Sequence, residues 1–332
     1  MKIQTKIEKK KIEDICKILS HVKSDLILLV IDKKVEKIYG KKILISGKKV
    51  LKWVAPEGEE CKNFSNYEKC TRFFLKKKIH REAHLVAIGG GATSDLAGYV
   101  ASTLLRGISW SVVPTTLLAM VDASIGGKTG INVENIKNQL GTFYAPQNIW
   151  LDFSFLETLS AQQIQSGKGE VLKYTFLSSA IAKMLKEKGF CPELIMACAN
   201  YKRKLVESDF FETKRKRIKL NLGHTLGHAF EQCLGLPHGI AVSYGIGAIL
   251  RLFDLKREYE LWEKRSLQLG IETQEQLLGK KEMRKIIKII MFDKKKTSSQ
   301  KIELILPRKK KILIKEIRMN DFKEKILKMY GY

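Results

Sequence analysis

The chain has 332 residues, of which 44% are hydrophobic, and carries a formal net charge of +26. This length and apolar content suit a globular protein of two domains with separate cores, and no window approaches the apolar length of a bilayer-spanning helix. The start, MKIQTKIEKKKIED, is charged and lacks the apolar core and cleavage site of a secretion signal, so a cytoplasmic protein without a membrane partner is expected.

In chain order, strands are expected at LILLVID (26–32), KKILIS (41–46), HLVAIGGG (84–91), ISWSVVPTT (108–116) and NIWLD (148–152), alternating with helix-like segments. That alternation reads as an α/β domain over residues 1–155 with a largely parallel sheet. Residues 156–332 hold long amphipathic stretches (161–189 and 240–270) and read as a mostly α-helical domain. Two strand-like pieces, KIELILP (301–307) and KKILIKEI (310–317), follow the turn region FDKKKTSSQ (292–300). Two such domains are expected to share a ligand cleft.

The basic excess has two readings, a nucleic-acid binder or a lysine bias spread over solvated faces. Lysines occur in nearly every polar segment, and no basic stripe is interleaved with aromatics, so no nucleic-acid partner is expected. Part of the excess serves to steer anionic substrates. The six cysteines, Cys16, Cys61, Cys70, Cys191, Cys198 and Cys233, form no CxxC pair and read as reduced, buried thiols.

Three segments carry chemistry. In HLVAIGGGATSDLAGYVASTLLRG an apolar strand runs into Gly89, Gly90 and Gly91 and then into a helix bearing Asp95; close backbone approach and a positive helix end suit a pyrophosphate, although the spacing is not GxGxxG. Next, Pro114, Thr115 and Thr116 end another apolar run, and VDASIGGKTGIN follows. Asp122, Lys128, Lys137 and Asn138 then fall in one loop-rich region, where lysine provides a point charge for phosphate and glycines admit the backbone. Third, His224 and His228 of NLGHTLGHAFE stand at i and i+4 on one helical face, with His238 following in LPHGIAV, a metal-like cluster. Glu170 in SGKGEVLKY is the candidate carboxylate, with Lys173 one turn away on the same face.

Taken in order, these segments and the DKK at 293–295 resemble the 3-dehydroquinate synthases, within the sugar phosphate cyclases, over nearly the whole chain. The resemblance implies a dehydroquinate synthase-like architecture: an α/β N-terminal Rossmann-like domain that binds NAD, plus a mostly α-helical C-terminal domain that binds metal and substrate. It further implies one divalent metal, zinc or cobalt, and a homodimer. The implied reaction converts the sugar phosphate 3-deoxy-D-arabino-heptulosonate 7-phosphate to 3-dehydroquinate and phosphate, in the shikimate pathway to aromatic amino acids. Position by position, Glu170, His224 and His238 look like metal ligands, and His228 like a substrate-phosphate or proton-relay residue. Asp32, then Glu57, Gly58, Glu59, Glu60, Cys61 and Lys62, then Gly91, Ala92, Thr93, Ser94 and Asp95, match nucleotide-contacting segments. So do Thr115, Thr116, Phe155, Leu156, Glu157 and Thr158, while Lys128, Lys137 and Asn138 line cofactor and substrate alike. Asp122, Lys128, Lys173, Lys202 (among Lys202, Arg203 and Lys204), Arg217, Asn221 and one of Lys294 or Lys295 match substrate-site positions. Arg106 is expected to reach the neighbouring subunit's phosphate site.

Three departures from the family pattern stand out. Ile240 occupies a position that is often glutamate, two residues after the second metal histidine; Ile136 replaces a frequent glycine; and SDFFETKRKR replaces an acidic stretch before Arg217. None removes a proposed ligand, so an active enzyme is expected. A polyol dehydrogenase of the same superfamily would share the NAD domain and the metal but release NADH, and the lysine-bearing stretch 122–138 argues against it. Another sugar phosphate cyclase would differ only in a few pocket residues.

Overall fold

Short apolar runs separated by amphipathic segments build the first part of the protein, whose structure is a computed structural model describing residues 5–134, 136–273, 280–295, 301–308 and 311–331. The chain divides into two compact units, Met1–Leu159 with Ala199–Thr213, and Ser160–Cys198 with Lys214–Tyr332. The first contains β1 (Lys6–Lys9), α1 (Ile12–Ser20), β2 (Leu26–Asp32), α2 (Lys33–Tyr39), β3 (Lys49–Ala55) and α3 (Phe64–Lys76). It continues with β4 (His84–Gly89), α4 (Gly91–Thr103), β5 (Ser109–Pro114), β6 (Lys128–Val133), β7 (Ile136–Phe143) and β8 (Asn148–Leu151).

Among the described residues, one sheet has the order β1-β8-β5-β4-β2-β3, and every neighbouring pair is parallel. The inner strands β2 and β4 are buried at every residue, as a parallel sheet covered on both faces requires, which is why they read as unbroken apolar runs. The edge strands β1 and β3 carry exposed lysines that discourage further strand pairing. Strand order reverses between β2 and β4, the switch point at which open α/β sheets leave a ligand crevice beyond the strands' carboxyl ends. Asp32, Gly89 and Pro114 are the last residues of β2, β4 and β5.

Three local expectations are corrected, one of them at FDKKKTSSQ, where residues 292–295 end a helix that starts at Lys280 and residues 296–300 lie outside the described residues. KKILIS is not a strand: Gly40–Lys42 forms a 3-10 turn after α2, Ile43 turns inward at 7% exposure and Leu44 outward at 71%. The strand starts after a turn at Gly47 (φ +67°), because KVLKWVA has the alternation that suits the half-exposed edge beside β2. Nor is the stretch 122–138 a loop. Ala119–Ala123 makes a π-helical turn, and β6 and β7 pair as an antiparallel hairpin.

The second unit is mostly helical, with α5 (Ala161–Leu177), α6 (Ser179–Lys188) and α7 (Pro192–Glu207), the last of which passes into the first unit at Ala199. Then come α8 (His224–Leu234), α9 (His238–Leu252), α10 (Lys256–Leu269), α11 (Lys280–Lys295), the antiparallel pair β9 (Lys301–Arg308) and β10 (Lys311–Arg318), and α12 (Met319–Met329). Ser160 and Gln163 start α5 with a reciprocal capping box. Helix α9 is buried along nearly its whole length and packs against α5, α8 and α10, with Trp262 Nε1 donating to the Ser243 carbonyl at 3.0 Å. No helix among the described residues is long and apolar enough to cross a membrane. All six cysteines are free.

His84 opens β4 inside the sheet, with its ring nitrogens 2.9 Å from Ser109 Oγ and 3.0 Å from Ser111 Oγ. Burial pulls its pKa down to about 4. The folded state therefore holds the ring neutral while the unfolded chain protonates below about pH 6.5, so this stability is complete above that pH and is lost as pH falls toward 4. Urea unfolding of His84→Gln should show a shallower loss of stability than the parent across this window, by up to about 3 kcal/mol. Parallel pH profiles would contradict the assignment.

Candidate active site

Glycines bring two helices of the second unit into backbone contact. A Cβ on Gly169 of α5 would lie 1.9 Å from the Gly239 carbonyl oxygen, and one on Gly239 would lie 1.7 Å from that of Ser166. Gly239 N also donates to Ser166 Oγ at 3.2 Å. Glu170 follows Gly169 and His238 precedes Gly239, so this crossing sets the carboxylate beside the imidazole. His238 Nε2 lies 3.3 Å from Glu170 Oε1, and His224 Nε2, at the start of α8, lies 3.5 Å from the same oxygen.

One ligand atom from each of Glu170, His224 and His238 falls within 4.8 Å of the others. Two imidazole nitrogens and a carboxylate oxygen form a donor set suited to zinc or cobalt. Metal–ligand bonds near 2.1 Å in a tetrahedral arrangement put neighbouring donor atoms about 3.4 Å apart, which the two carboxylate–imidazole spacings match. The residues therefore fit a divalent ion.

The electrostatics fit as well. Glu170 is fully buried and forms an ion pair through Oε2 with the Lys173 ammonium, itself 1% exposed. Burial, reinforced by the charge of Lys173, drives His224 down to about 3, so its ring is a neutral donor at ordinary pH. Burial works against charge on His238 too, but hydrogen bonds and charges from Glu170 and Glu231 outweigh it and hold that ring up to about 10. A cation arriving at Nε2 must displace that proton.

His228 shares the cluster, its ring centroid 5.3 Å from that of His224 and 5.8 Å from that of His238, but it supplies no atom to the three-residue set. Arg217 (buried) and Asn221 (exposed) lie in the 3-10 turn Lys216–Asn221 leading into α8. Lys294 and Lys295 end α11, and their side chains lie outside the described residues. Glu231 was not among the sequence candidates, although it is the last letter of NLGHTLGHAFE. Its spacing of i+7 from His224 places it on the same helical face, a signal available to sequence reading.

In the first unit the nucleotide-segment candidates follow strand carboxyl ends. Asp32 caps α2, its Oδ1 accepting from Lys34 N at 2.8 Å and Val35 N at 3.3 Å, and burial raises its pKa. Gly91, Ala92, Thr93 and Ser94 are the opening turn of α4, where main-chain N–H groups gather at the positive end of a helix. Thr115 N donates to the Gly89 carbonyl at 2.9 Å, and Thr116 Oγ1 accepts from Ala119 N at 3.2 Å. Glu57 precedes the 3-10 turn of Gly58, Glu59, Glu60 and Cys61, whose buried thiol is pushed up to about 12 by burial. Phe155, Leu156, Glu157 and Thr158 lie in the turn after β8; Phe155 packs edge-on against Tyr39, and Thr158 Oγ1 is 3.0 Å from the Tyr39 hydroxyl.

Lys62 ties these segments together. Its Nζ donates to Asp95 Oδ2 and Asn138 Oδ1, both at 2.6 Å. Burial lifts Asp95 to about 6 against the opposing pull of Lys62. Asn138 takes a left-handed conformation (φ +57°) and donates its main-chain N–H to Asn132 Oδ1 at 2.9 Å, while Lys137 beside it is exposed.

Among the three neighbouring cations at 202–204, geometry singles out Lys202. It is buried and pairs with Asp122 at 2.9 Å, donating also to the Asp122 carbonyl at 2.8 Å, whereas Arg203 turns to Glu207 at 2.7 Å and Lys204 is exposed. Lys128 pairs with Glu212 at 2.7 Å, and Arg106 is exposed with φ +63°. The buried lysines and arginines among the described residues are Lys62, Lys173, Lys202 and Arg217. All four are sequence candidates.

A parallel sheet with a switch point in one unit and a Glu/His/His cluster in a helical second unit define a two-unit fold shared with solved enzymes. The fold agrees: 2-deoxy-scyllo-inosose synthase aligns with a TM-score of 0.82 at 21% identity, over 97% of this chain and 95% of that one. A 2-epi-5-epi-valiolone synthase from Streptomyces hygroscopicus, solved with NAD+ and Zn2+ bound, aligns with a TM-score of 0.78 at 21% identity, covering 99% and 97%. Family models described as 3-dehydroquinate synthase N-terminal and C-terminal match residues 52–166 and 167–296. The 3-dehydroquinate synthase of Methylacidiphilum infernorum is 39% identical over 73% of this chain and 70% of its own length; that of Streptococcus mutans is 33% identical over 90% and 89%. The chain belongs to the 3-dehydroquinate synthase family.

Because the Gly169–Gly239 crossing leaves no room for a methyl group, Gly239→Ala must push α9 away from α5. The expected result is a loss of about 1–3 kcal/mol in stability together with weaker Co2+ binding. A variant that melts and binds Co2+ like the parent would contradict this account of how Glu170 and His238 are brought together.

Proposed function

We propose that the protein is a 3-dehydroquinate synthase, converting 3-deoxy-D-arabino-heptulosonate 7-phosphate to 3-dehydroquinate and phosphate as a cytoplasmic homodimer. The observation that carries this reading is the buried Glu170 beside His224 and His238 in a chain of this family. In it, residues 1–155 bind NAD and residues 156–332 hold the metal and most of the substrate contacts.

Glu170, His224 and His238 would hold a zinc or cobalt ion, which when bound supplies Lewis acidity toward the substrate's vicinal hydroxyls. NAD, when bound, would supply reversible hydride acceptance, a chemistry that leaves no net redox change. Asp32, the opening turn of α4, Thr115 and Thr116 at the strand ends, and the Lys62–Asp95–Asn138 group bind and orient the dinucleotide. The turns at 57–62 and 155–158 border it, and Lys128 and Lys137 neutralise its charge or the substrate's. Lys202 fixes the Asp122 carboxylate in place. Lys173, Arg217, Asn221 and His228 position the substrate and offset its charge, with Lys294 or Lys295 contributing a further cation. Arg106, exposed, reaches toward the phosphate held by the partner subunit. The departing phosphate's own oxygen is a sufficient base for the elimination, so the chain's work is orientation and charge neutralisation.

The test is phosphate release from the heptulosonate 7-phosphate by Zn2+- or Co2+-loaded protein with catalytic NAD, while NADH absorbance is followed. Many phosphates per enzyme without NADH accumulation are expected. Stoichiometric NADH would point instead to a polyol dehydrogenase, and no release with NAD and metal bound would redirect the search to other sugar phosphates. His224→Ala should lower turnover by at least about 100-fold, the scale of losing one electrostatic contact at a reacting centre.

A further inference from the structure

Two residues after His238, α9 carries the apolar Ile240, and its first turn offers the imidazole no carboxylate. The structure supplies a carboxylate from elsewhere. Glu231, on the third turn of α8, approaches His238 with Oε2 2.9 Å from Nδ1. An ionised carboxylate can only accept, so Nδ1 carries the proton in this contact. The opposite ring nitrogen, Nε2, then faces Glu170 Oε1 at 3.3 Å, with His224 Nε2 at 3.5 Å from that same oxygen.

The geometry points to Glu231 as a positioning residue of the metal site: its carboxylate holds the Nδ1 proton of His238 and so aims Nε2 at the position shared with Glu170 and His224. The inference rests on the metal reading proposed above.

Two further observations support it. His238 is the first residue of α9 and follows Pro237, so its ring has no preceding helical turn to pack against, and it remains 28% exposed; an external partner is needed to fix its orientation. In addition, His224, His228 and Glu231 stand at i, i+4 and i+7, on one face of α8. One helix therefore presents both a ligand and the group that orients the ligand of another helix. Carboxylate partners of this kind fix the tautomer of a metal-binding histidine and raise its basicity, and their loss typically weakens metal binding 10- to 100-fold.

Glu231→Ala and Glu231→Gln should be compared with the parent by equilibrium competition for Co2+ against a chelator, with the visible spectrum of bound Co2+ and the melting of metal-free protein recorded alongside. Glu231→Ala should bind Co2+ about 10- to 100-fold more weakly, with an altered Co2+ spectrum, in a variant whose metal-free form still melts cooperatively. Glu231→Gln, whose amide oxygen can still accept from Nδ1, should fall between; if the alanine variant fails to fold, the glutamine variant carries the test. Parent-like Co2+ affinity and spectrum in a folded variant overturn the positioning role. His224→Ala separates the two ideas: Co2+ binding that survives this change shows the metal reading itself to be wrong, whereas binding lost in His224→Ala and intact in Glu231→Ala removes Glu231 alone.

Discussion

A carboxylate with no exposed surface governs the second unit. Removing a charged group from water is costly unless opposite charge and hydrogen-bond donors surround it, and Glu170 is fully buried. Lys173 supplies the counter-charge from one turn along the same helix, and His224 and His238 supply imidazoles from the starts of two others. Three helices must approach one point, which ordinary side chains at the crossing would prevent. The Gly169–Gly239 contact permits it, and the burial of α9 along most of its length holds the arrangement in place.

The first unit solves a different problem with the same economy of buried charge. Apart from His84 and its two serine partners, the inner strands are apolar, and the charged groups collect where the strands end. Asp32 satisfies helix N–H groups, the glycine turn exposes the opening amides of α4, and Lys62 joins Asp95, 33 residues away, to Asn138, 76 residues away. Antiparallel pairing of β6 with β7 puts Asn138 within reach of that lysine.

The large positive charge is consistent with this division. Surface cations pair with nearby acids at exposed positions, as Lys52 does with Glu36 and Lys301 with Glu316, contacts that contribute little. The four buried cations among the described residues are different: Lys62, Lys173 and Lys202 each meet a carboxylate at 2.9 Å or closer, and Arg217 occupies the turn before the histidine helix. A basic composition thus conceals a small set of desolvated charges whose placement is specific.

Features encoded within a few residues were legible in the sequence alone. The inner strands β2 and β4, the glycine turn into α4, the i, i+4 histidines and the Glu170–Lys173 pair depend on local periodicity, and the motif order carries the family resemblance. The helical second half and the terminal strand pair β9 and β10 followed from the same periodicities. What lay beyond local pattern required the tertiary structure. The edge strand fell on KVLKWVA rather than KKILIS because only pairing to β2 chooses between two half-apolar segments. The 122–138 stretch became a hairpin through cross-strand hydrogen bonding that its glycines hide. Lys202 was selected from three adjacent cations by Asp122, 80 residues away, and Glu231 acquired its role from a histidine on the next helix. Periodicity states which face a residue occupies, but only packing in three dimensions decides which distant group meets it there.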